Sequence, residues 1–284
     1  MRPYATFELT MPELPEVENA RRCLLQAELP GRIFTGANIG WAKTVKKPGL
    51  EDFVLGLRDA RVKAAHRRGK YILLPLENRN WPAERTLILH MGMTGGLSVQ
   101  PQTQAAHPMV RHSFALDDGR ELRFQDGRKF GKLWLVDDPQ EVLPPLSPDP
   151  LEKDFTLDYL VEALAGRNAP IKALLLEQFI AAGMGNLYAD EALYLSGINP
   201  MRPGSELSAD EVARLMASMV AALTAGVAIY DQSRIDNWPD PPRALTTWTI
   251  PRQNGEACLR CHGPMEVIRI RARSTWFCPG CQPV

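Results

Sequence analysis

The chain lacks a net charge and a long apolar run. Its 33 Lys and Arg residues balance 33 Asp and Glu residues, so no global field indicates a nucleic-acid or membrane partner, and any basic surface must be local. The longest uncharged stretch, residues 215–230, is shorter than the ~20 apolar residues that span a bilayer. We therefore expect no membrane partner and interpret this stretch as a buried helix.

Secretory features and surplus cysteines are also missing. Residues 1–10 contain one arginine and no apolar segment of the roughly 7–15 residues that a signal peptide needs. Four of the five cysteines form two Cys-x-x-Cys pairs, a pattern typical of a metal site in a reducing compartment rather than of disulfides. These absences predict a cytoplasmic protein.

The apolar pattern divides the chain. Residues 32–136 contain short apolar runs separated by turn signals, which predict a β-sandwich or barrel. Five prolines in the acidic segment 138–150 indicate a linker. From residue 157 the apolar period lengthens to about 3.6, and Ser208-Ala-Asp-Glu211 predicts a capping box. We expect an α+β protein with domains at 11–137, 151–243 and 244–284.

The cysteine spacing is the strongest chemical signal. Sixteen residues separate the two Cys-x-x-Cys pairs, which predicts a tetrahedral four-thiolate site for one structural Zn²⁺. Its ligands would be Cys258, Cys261, Cys278 and Cys281.

Two segments can be interpreted as phosphate-binding, and each also has a purely structural interpretation. Arg269, Arg271 and Arg273 alternate with apolar residues, so a hairpin would place three guanidinium groups on one face. The alternative is a zinc-stapled module with solvated arginines. Glycines at 183–185 would leave amides at a helix N-terminus open to an anion, or would simply form a packing corner between helices.

The run PELPEVE at 12–18 suits a helix start, with Pro15 in the first turn and Glu16 and Glu18 near the positive helix end. A helix start does not require a carboxylate at Glu13 beside Pro12. A free amine at Pro12 would be a nucleophile with a proton acceptor beside it. As written, Met11 and residues 1–10 precede Pro12, so its nitrogen is a tertiary amide.

Six motifs occur in order along the chain: MPELPEVE at 11–18, RRGKYILL at 67–74, HMGMTGGL at 90–97, DGRKFGKLW at 126–134, GMGNLYADEAL at 183–193 and RSTWFCPGCQ at 273–282. Together they resemble the formamidopyrimidine-DNA glycosylase and endonuclease VIII family of bifunctional DNA repair enzymes. The resemblance extends from residue 11 to residue 282, and the PELPEVE and HMGMTGG motifs are closer to the formamidopyrimidine branch.

The resemblance implies a β-sandwich joined to a helix-two-turn-helix domain with a zinc hairpin, a monomer that binds damaged double-stranded DNA between them, at the nucleoid. It implies excision of oxidised bases, by default oxidised purines, followed by strand cleavage. Pro12, once N-terminal, would form a Schiff base with C1′ of the damaged nucleotide, leading to β,δ-elimination. Glu13 would act as the acid on the sugar, and Glu16 would support the site.

The resemblance also assigns the DNA contacts. Lys70 would contact phosphate and the damaged nucleotide, whereas without the family it reads as surface charge. Arg273 and Asn186 would hold the flanking phosphates. Met93 and Phe130, otherwise typical core residues, would fill the void left by the flipped nucleotide together with Arg128. The remaining predicted DNA-binding residues are His90, Lys129, Lys172, Arg269 and Arg271.

Four departures from the family pattern bear on function. Residues 1–10 would block Pro12, and initiation at Met11 followed by methionine removal would free it. Lys129 replaces an arginine and Gly127 a proline, which keeps the charge but loses bidentate geometry. His262 replaces a glycine beside the zinc site. Residues 227–249 differ from the family's lesion-covering loop, which leaves lesion preference open.

Alternatives therefore remain. One is excision of oxidised pyrimidines or action on abasic sites, as in the endonuclease VIII branch. Another is a non-catalytic damaged-DNA binding protein, if Pro12 stays blocked. A zinc-hairpin module for protein contacts would leave the first 140 residues unexplained.

Overall fold

The computed structural model describes residues 11–232 and 250–284. The proposed N-terminal extension, and the atypical loop from position 233 to 249, lie outside the described residues. The described part forms two compact units. Pro12 and Glu16–Val142 belong to the first unit. Glu13–Pro15, residues 143–232 and residues 250–284 belong to the second.

Strands dominate the chain before residue 142, as the short apolar runs between turn signals predict. The helices and strands are α1 (Leu14–Gln26), β1 (Ile33–Ile39), β2 (Val45–Lys47), α2 (Leu50–Leu57), β3 (Ala60–Val62), β4 (His66–Arg68), β5 (Tyr71–Glu77), β6 (Arg85–His90), β7 (Gly95–Pro101), β8 (Val110–Leu116), β9 (Arg120–Asp126) and β10 (Lys132–Val136).

Among the described residues these ten strands form one hydrogen-bonded sheet in the order β2-β10-β6-β5-β3-β1-β8-β9-β7, with β4 paired to β5. Strands at both ends share one apolar core, which includes Leu133 of β10, Phe34 of β1 and Leu97 of β7. Strands lie about 4.8 Å apart, so a flat sheet would hold these side chains several strands apart. The sheet therefore bends over its own core.

Helices α1 and α2 cover part of this core. Val17, Ala20 and Leu24 form a fully buried stripe on α1, as their i, i+3, i+7 spacing predicts. The sequence pattern did not predict α2, whose Phe53 and Leu57 are buried in the same core.

The second unit is helical. Its helices are α3 (Leu157–Leu164), α4 (Ile171–Leu175), α5 (Asn186–Ser196) and α6 (Ala209–Gln232). The predicted capping box is confirmed, because the Glu211 amide donates to Ser208 Oγ and the Ser208 amide donates to the Glu211 carboxylate. A two-stranded hairpin of β11 (Glu266–Ile270) and β12 (Arg273–Phe277) follows. The predicted α+β class, with a sheet domain, helices and a terminal hairpin, is confirmed.

Helix α6 contains the long uncharged stretch. In the described chain it is the one helix that is long and apolar enough to cross a membrane, by length and composition alone. Its buried residues Leu215, Met219 and Leu223 recur every four positions, and it packs on α5 and α3. A Cβ at Gly226 would lie 2.4 Å from the Tyr188 hydroxyl of α5. This close approach is typical of a helix packed inside a domain.

Candidate functional site

The Glu13 carboxylate caps helix α5. Its two oxygens accept hydrogen bonds from the amides of Leu187 at 2.9 Å and Tyr188 at 3.3 Å. These are orphan N–H groups of the first helical turn, where a negative charge is favoured. Glu13 is 2% exposed. The anion at this helix end is therefore a side chain of the PELPEVE run, which agrees with the packing-corner alternative for the glycines rather than with amides open to a free anion.

Two glycines make room for this segment. Gly183 has a φ of 85°, as predicted, and its carbonyl accepts a hydrogen bond from the Leu14 amide at 2.9 Å. A Cβ at Gly185 would lie 2.2 Å from Cδ of Glu13. The GMGN turn is thus fitted to the PELPEVE residues, and this explains why both motifs occur in one chain.

Glu18 forms a second buried carboxylate cluster, within the first unit. It pairs with Arg21 at 2.7 Å, Arg22 at 2.9 Å and Arg67 at 3.1 Å. Burial raises the pKa of Glu18, but hydrogen bonds from Arg21 and Arg22 and the charge of Arg67 outweigh it and leave the pKa at about 2. The sequence pattern indicates only a helix start at Glu18. The cluster ties α1 to β4, three residues before Lys70. Glu16, which the resemblance placed in a supporting role, is also buried, at 3% exposed.

Lys70 lies in the two-residue loop between β4 and β5, where Arg68 pairs with Tyr71. Gly69 has a φ of 55°, the positive value that such loops favour at their first position. The lysine is only 8% exposed. It is therefore held in a tight hairpin rather than freely solvated.

His90 is neutral beside this hairpin. Burial first, and then the charges of Lys70 and Lys132, lower the pKa of His90 to about 4. Its Nδ1 accepts a hydrogen bond from the Gly92 amide at 3.1 Å, so the ring proton is on Nε2. His90 can therefore donate one hydrogen bond from Nε2.

The DGRKFG loop is organised by Asp126, which is fully buried. Its carboxylate accepts from the amides of Lys129 at 3.0 Å and Gly131 at 2.6 Å. These bonds hold Lys129 at a φ of 60°, which costs a non-glycine residue roughly 1 kcal/mol or more. The sequence pattern did not predict this role for Asp126, the first residue of the motif.

The three predicted void-filling residues lie on two touching loops. A Cβ at Gly92, beside Met93, would lie 2.6 Å from the Phe130 carbonyl carbon, and the Arg128 guanidinium stacks 5.2 Å from the Phe130 ring centre. Phe130 is 49% exposed. It is therefore not a core residue, as it would be without the family resemblance.

Lys172 is fully buried in the second unit. Its ammonium donates to the Asp190 carboxylate, to Thr275 Oγ1 at 2.8 Å and to the Ser274 carbonyl at 3.0 Å. All three donors are used. The side chain joins α4 and α5 to the hairpin, and DNA binding by Lys172 stays a prediction that these contacts do not support.

The hairpin arginines do not share one face. Ile270 pairs with Arg273, and Arg271 and Ala272 both have positive φ, so they form a two-residue turn. Paired residues lie on the same side of a sheet, so Arg269 and Arg273 lie on opposite sides. The expected single face of three arginines is wrong because the turn interrupts the alternation.

Arg273 is nevertheless placed near Asn186. The Asn186 side-chain amide donates to the carbonyl of Ser274 at 3.1 Å, and its Oδ1 is buried without a partner. Arg273 is exposed, whereas Arg271 forms an ion pair with Glu177. The two predicted phosphate contacts, Asn186 and Arg273, thus come together, and Arg271 already has an acidic partner.

The four predicted cysteines form one cluster with all Sγ atoms within 4.8 Å of one another. The Cys258–Cys281 and Cys261–Cys278 sulfur separations are 3.8 and 3.4 Å. The cluster could hold one metal ion. The Tyr194 hydroxyl lies 3.2 Å from Cys258 Sγ, an outer contact typical of thiolate sites. His262 is exposed and lies outside the four-residue ligand group.

Comparison with known proteins identifies the family. The model of the formamidopyrimidine-DNA glycosylase N-terminal domain matches residues 11–133, and that of the formamidopyrimidine-DNA glycosylase H2TH domain matches residues 146–236. A formamidopyrimidine-DNA glycosylase from Herpetosiphon aurantiacus is 40% identical over 282 residues, which span 96% of this chain and 100% of the relative.

Solved structures agree. The crystal structure of the MutM (Fpg) protein from Thermus thermophilus has a TM-score of 0.81 at 32% identity, covering 95% of this chain and 98% of that one. A Lactococcus lactis Fpg variant in complex with DNA containing Fapy-dG has a TM-score of 0.84 at 27% identity, covering 96% and 100%.

The chain therefore belongs to the formamidopyrimidine-DNA glycosylase family. This confirms the predicted family and its formamidopyrimidine branch. The relatives are DNA glycosylases with abasic-site lyase activity in base excision repair, the predicted enzyme class. The predicted partner, DNA with a damaged base, is the ligand of the Lactococcus lactis relative.

The buried Lys172–Asp190 pair supports a stability prediction. Replacing Lys172→Met leaves a buried carboxylate short of its partner and should cost about 3–5 kcal/mol. The matched control is Arg271→Met, which breaks the exposed pair with Glu177 and should cost about 0–1 kcal/mol. Thermal and urea unfolding of the three chains measure both. Equal destabilisation by the two substitutions would contradict the structural role of Lys172.

Proposed function

We propose that this chain excises oxidised purines, formamidopyrimidines included, from double-stranded DNA and cleaves the strand at the resulting abasic site. It would do so in the cytoplasm, at the nucleoid. The observation that carries the proposal is the burial of Glu13 against the first turn of α5, directly after Pro12. A carboxylate held in this way beside an N-terminal secondary amine is suited to covalent chemistry on a sugar.

Pro12 is the nucleophile in this proposal. An α-amine titrates near pKa ~8, so part of it is unprotonated at neutral pH. Its lone pair forms a bond to C1′ while the bond from C1′ to the base breaks, and the departing base keeps that electron pair and takes a proton from solvent. Opening of the sugar ring then yields an iminium between the Pro12 nitrogen and C1′.

Glu13 moves the proton that ring opening requires. Two backbone amides orient its carboxylate, which in this proposal first accepts the proton lost by the attacking amine. It then returns this proton to the ring oxygen O4′. Glu13 is thus the acid on the sugar after it has served as the base.

The iminium drives strand cleavage. It acidifies the C2′ protons, and loss of one of them expels the 3′ phosphate. A further proton loss expels the 5′ phosphate, and water finally releases the sugar fragment from Pro12.

The remaining residues bind DNA in this proposal. Lys70, Asn186 and Arg273 hold phosphates beside the lesion, and the Nε2–H of His90 donates to the same strand. Met93, Arg128 and Phe130 occupy the stack, which offsets part of the few kcal/mol that flipping costs. Arg271 would contact a phosphate only after releasing Glu177. Arg269 would contact phosphate from the side of the hairpin opposite to Arg273.

The proposal requires a chain that begins at Pro12. The family match begins at residue 11, and 96% of this chain covers the whole Herpetosiphon aurantiacus relative. Both support initiation at Met11 and removal of that methionine, which leaves Pro12 with a free secondary amine.

We also infer one structural zinc ion at the four cysteines. Zn–S bonds of about 2.3 Å in a tetrahedron place sulfur atoms about 3.8 Å apart, close to the observed separations. The ion would fix the hairpin that carries Arg273. It would supply folding energy to this module and take no part in the chemistry.

The nucleophile is tested by borohydride trapping on duplex DNA with an abasic site. A chain beginning at Pro12 should be trapped covalently and cleave the strand, because its iminium is reducible. A chain beginning at Met1 should give at least a hundredfold less trapped product. The matched control is Pro12→Gly with a free N-terminus, which keeps a primary amine. No trapping by the Pro12 chain would overturn the enzyme assignment and leave a DNA-binding protein.

The same chain, assayed on duplexes with one lesion each, tests substrate preference. Faster excision of 8-oxoguanine and formamidopyrimidines than of oxidised pyrimidines is expected. The reverse order would assign the chain to the pyrimidine-specific alternative.

The metal is tested by chelation. Removal should release one zinc ion per chain and weaken binding to abasic-site DNA at least tenfold, because the hairpin carrying Arg273 loses its support. Elemental analysis and a binding titration measure the two effects. An Arg273→Ala chain with its metal intact should show a comparable loss of affinity. Unchanged DNA binding after zinc release would contradict the role of the hairpin.

A further inference from the structure

Trp41 lies at the centre of a cluster of lysines in the first unit. The Lys129 ammonium is 4.2 Å from the centre of the Trp41 ring, and the Lys43 ammonium is 5.8 Å from it. Lys46 donates to the Lys43 carbonyl at 2.8 Å. We call Trp41, Lys43, Lys46 and Lys129 the lysine patch.

The patch has no acidic counterpart. Its three lysines are exposed, and within the part of the chain that the structure describes none of them forms an ion pair. Lys47, the residue after Lys46, differs because it pairs with Glu141. In a chain of zero net charge, two ammonium groups over one aromatic ring, with Lys46 bonded to the Lys43 carbonyl, define a local positive surface.

The patch adjoins the loop that carries Arg128 and Phe130, because Lys129 belongs to both. Sheet pairing links it to the Lys70 hairpin as well. Lys132 of β10 pairs with His90, His90 pairs with Tyr71, and the next residue of β10 pairs with Val45 of β2. Strand β2, which carries Lys46, therefore lies two strands from His90 and three strands from the Lys70 hairpin.

Trp41 gives Lys43 and Lys129 a defined position. A cation over an indole ring gains about 0.5–1 kcal/mol at an exposed site, which limits the motion of a long flexible side chain. Lys129 is fixed further by the Asp126 hydrogen bond to its amide. Ordered ammonium groups without carboxylate partners match a polymer of regularly spaced phosphates.

We propose that the lysine patch is an additional contact for double-stranded DNA, which binds backbone phosphates beyond the damaged nucleotide. The inference rests on the proposed function and extends its DNA footprint. Trp41 is a positioning residue in it, and the lysines make the contact. Lys43 and Lys46 are outside the proposed catalytic machinery, so their loss should weaken binding and leave chemistry unchanged.

The test is the salt dependence of binding to a duplex with a tetrahydrofuran abasic analogue, using the full chain beginning at Pro12. Each phosphate contact contributes about 0.9 to the slope of log K against log salt. In the Lys43→Ala/Lys46→Ala chain this slope should be less steep by about 2, and Kd should be about tenfold higher at 0.1 M salt. The single-turnover excision rate at saturating enzyme should not change.

Lys47→Ala is the matched control, since it removes an adjacent positive charge that Glu141 already neutralises. It should change the slope by less than about 0.5, because no phosphate contact is lost. Trp41→Phe should bind nearly as the parent, whereas Trp41→Leu should bind more weakly. The duplex is also shortened on one side of the lesion at a time. Shortening on one of the two sides should abolish the difference in Kd between the parent and the double variant.

Equal slopes for the double variant and the Lys47→Ala control would overturn the proposal, as would a defect that persists on every shortened duplex. The outcome is separate from that of the proposed function. Failure of trapping by the parent chain refutes the enzyme assignment, whereas normal trapping with an unchanged salt slope refutes only the lysine patch.

Discussion

The contact between the Glu13 carboxylate and the first turn of α5 is the constraint on which the remaining site depends. It fixes the residue after Pro12 to the helical unit through two backbone amides. It also explains Gly185, because any side chain there would collide with Glu13. The PELPEVE and GMGN motifs, about 170 residues apart in the sequence, are two sides of one contact. In the proposed mechanism the same carboxylate receives and returns the proton of the covalent step.

Charge neutrality of the whole chain conceals how its charges are distributed. Glu13, Glu18, Asp126 and Asp190 are all buried, and each accepts hydrogen bonds from backbone amides or basic side chains in its own unit. Acidic groups used internally cannot repel phosphates at the surface as exposed ones would. Exposed basic groups such as Arg128, Lys129 and Arg273 then set the local field, which is why a protein without net charge can belong to a DNA repair family.

Much of the fold and site follows from the sequence, and the exceptions have physical causes. Short apolar runs predict β5, β6, β8 and β10, and cysteine spacing predicts the four-thiolate cluster, because both depend on local geometry. The burial of Lys172 cannot be predicted from the sequence, since it depends on contacts with Asp190 and with Thr275, which is 103 residues away. The arginine face fails because a two-residue turn of Arg271 and Ala272, without glycine, gives no turn signal. The Trp41–Lys129 contact cannot be predicted from the sequence, because the two residues are far apart in the chain and only the fold places Lys129 over the ring.

The most direct test of the account is the identity of the residue that becomes linked to DNA. The chain beginning at Pro12 is trapped with borohydride on an abasic-site duplex, digested and mapped by tandem mass spectrometry. If Pro12 is the nucleophile, a single adduct is expected on the N-terminal peptide, at the nitrogen of Pro12. An adduct on Lys70 or another lysine would contradict it, because a side-chain amine would then form the Schiff base and the Glu13 contact would have no catalytic meaning.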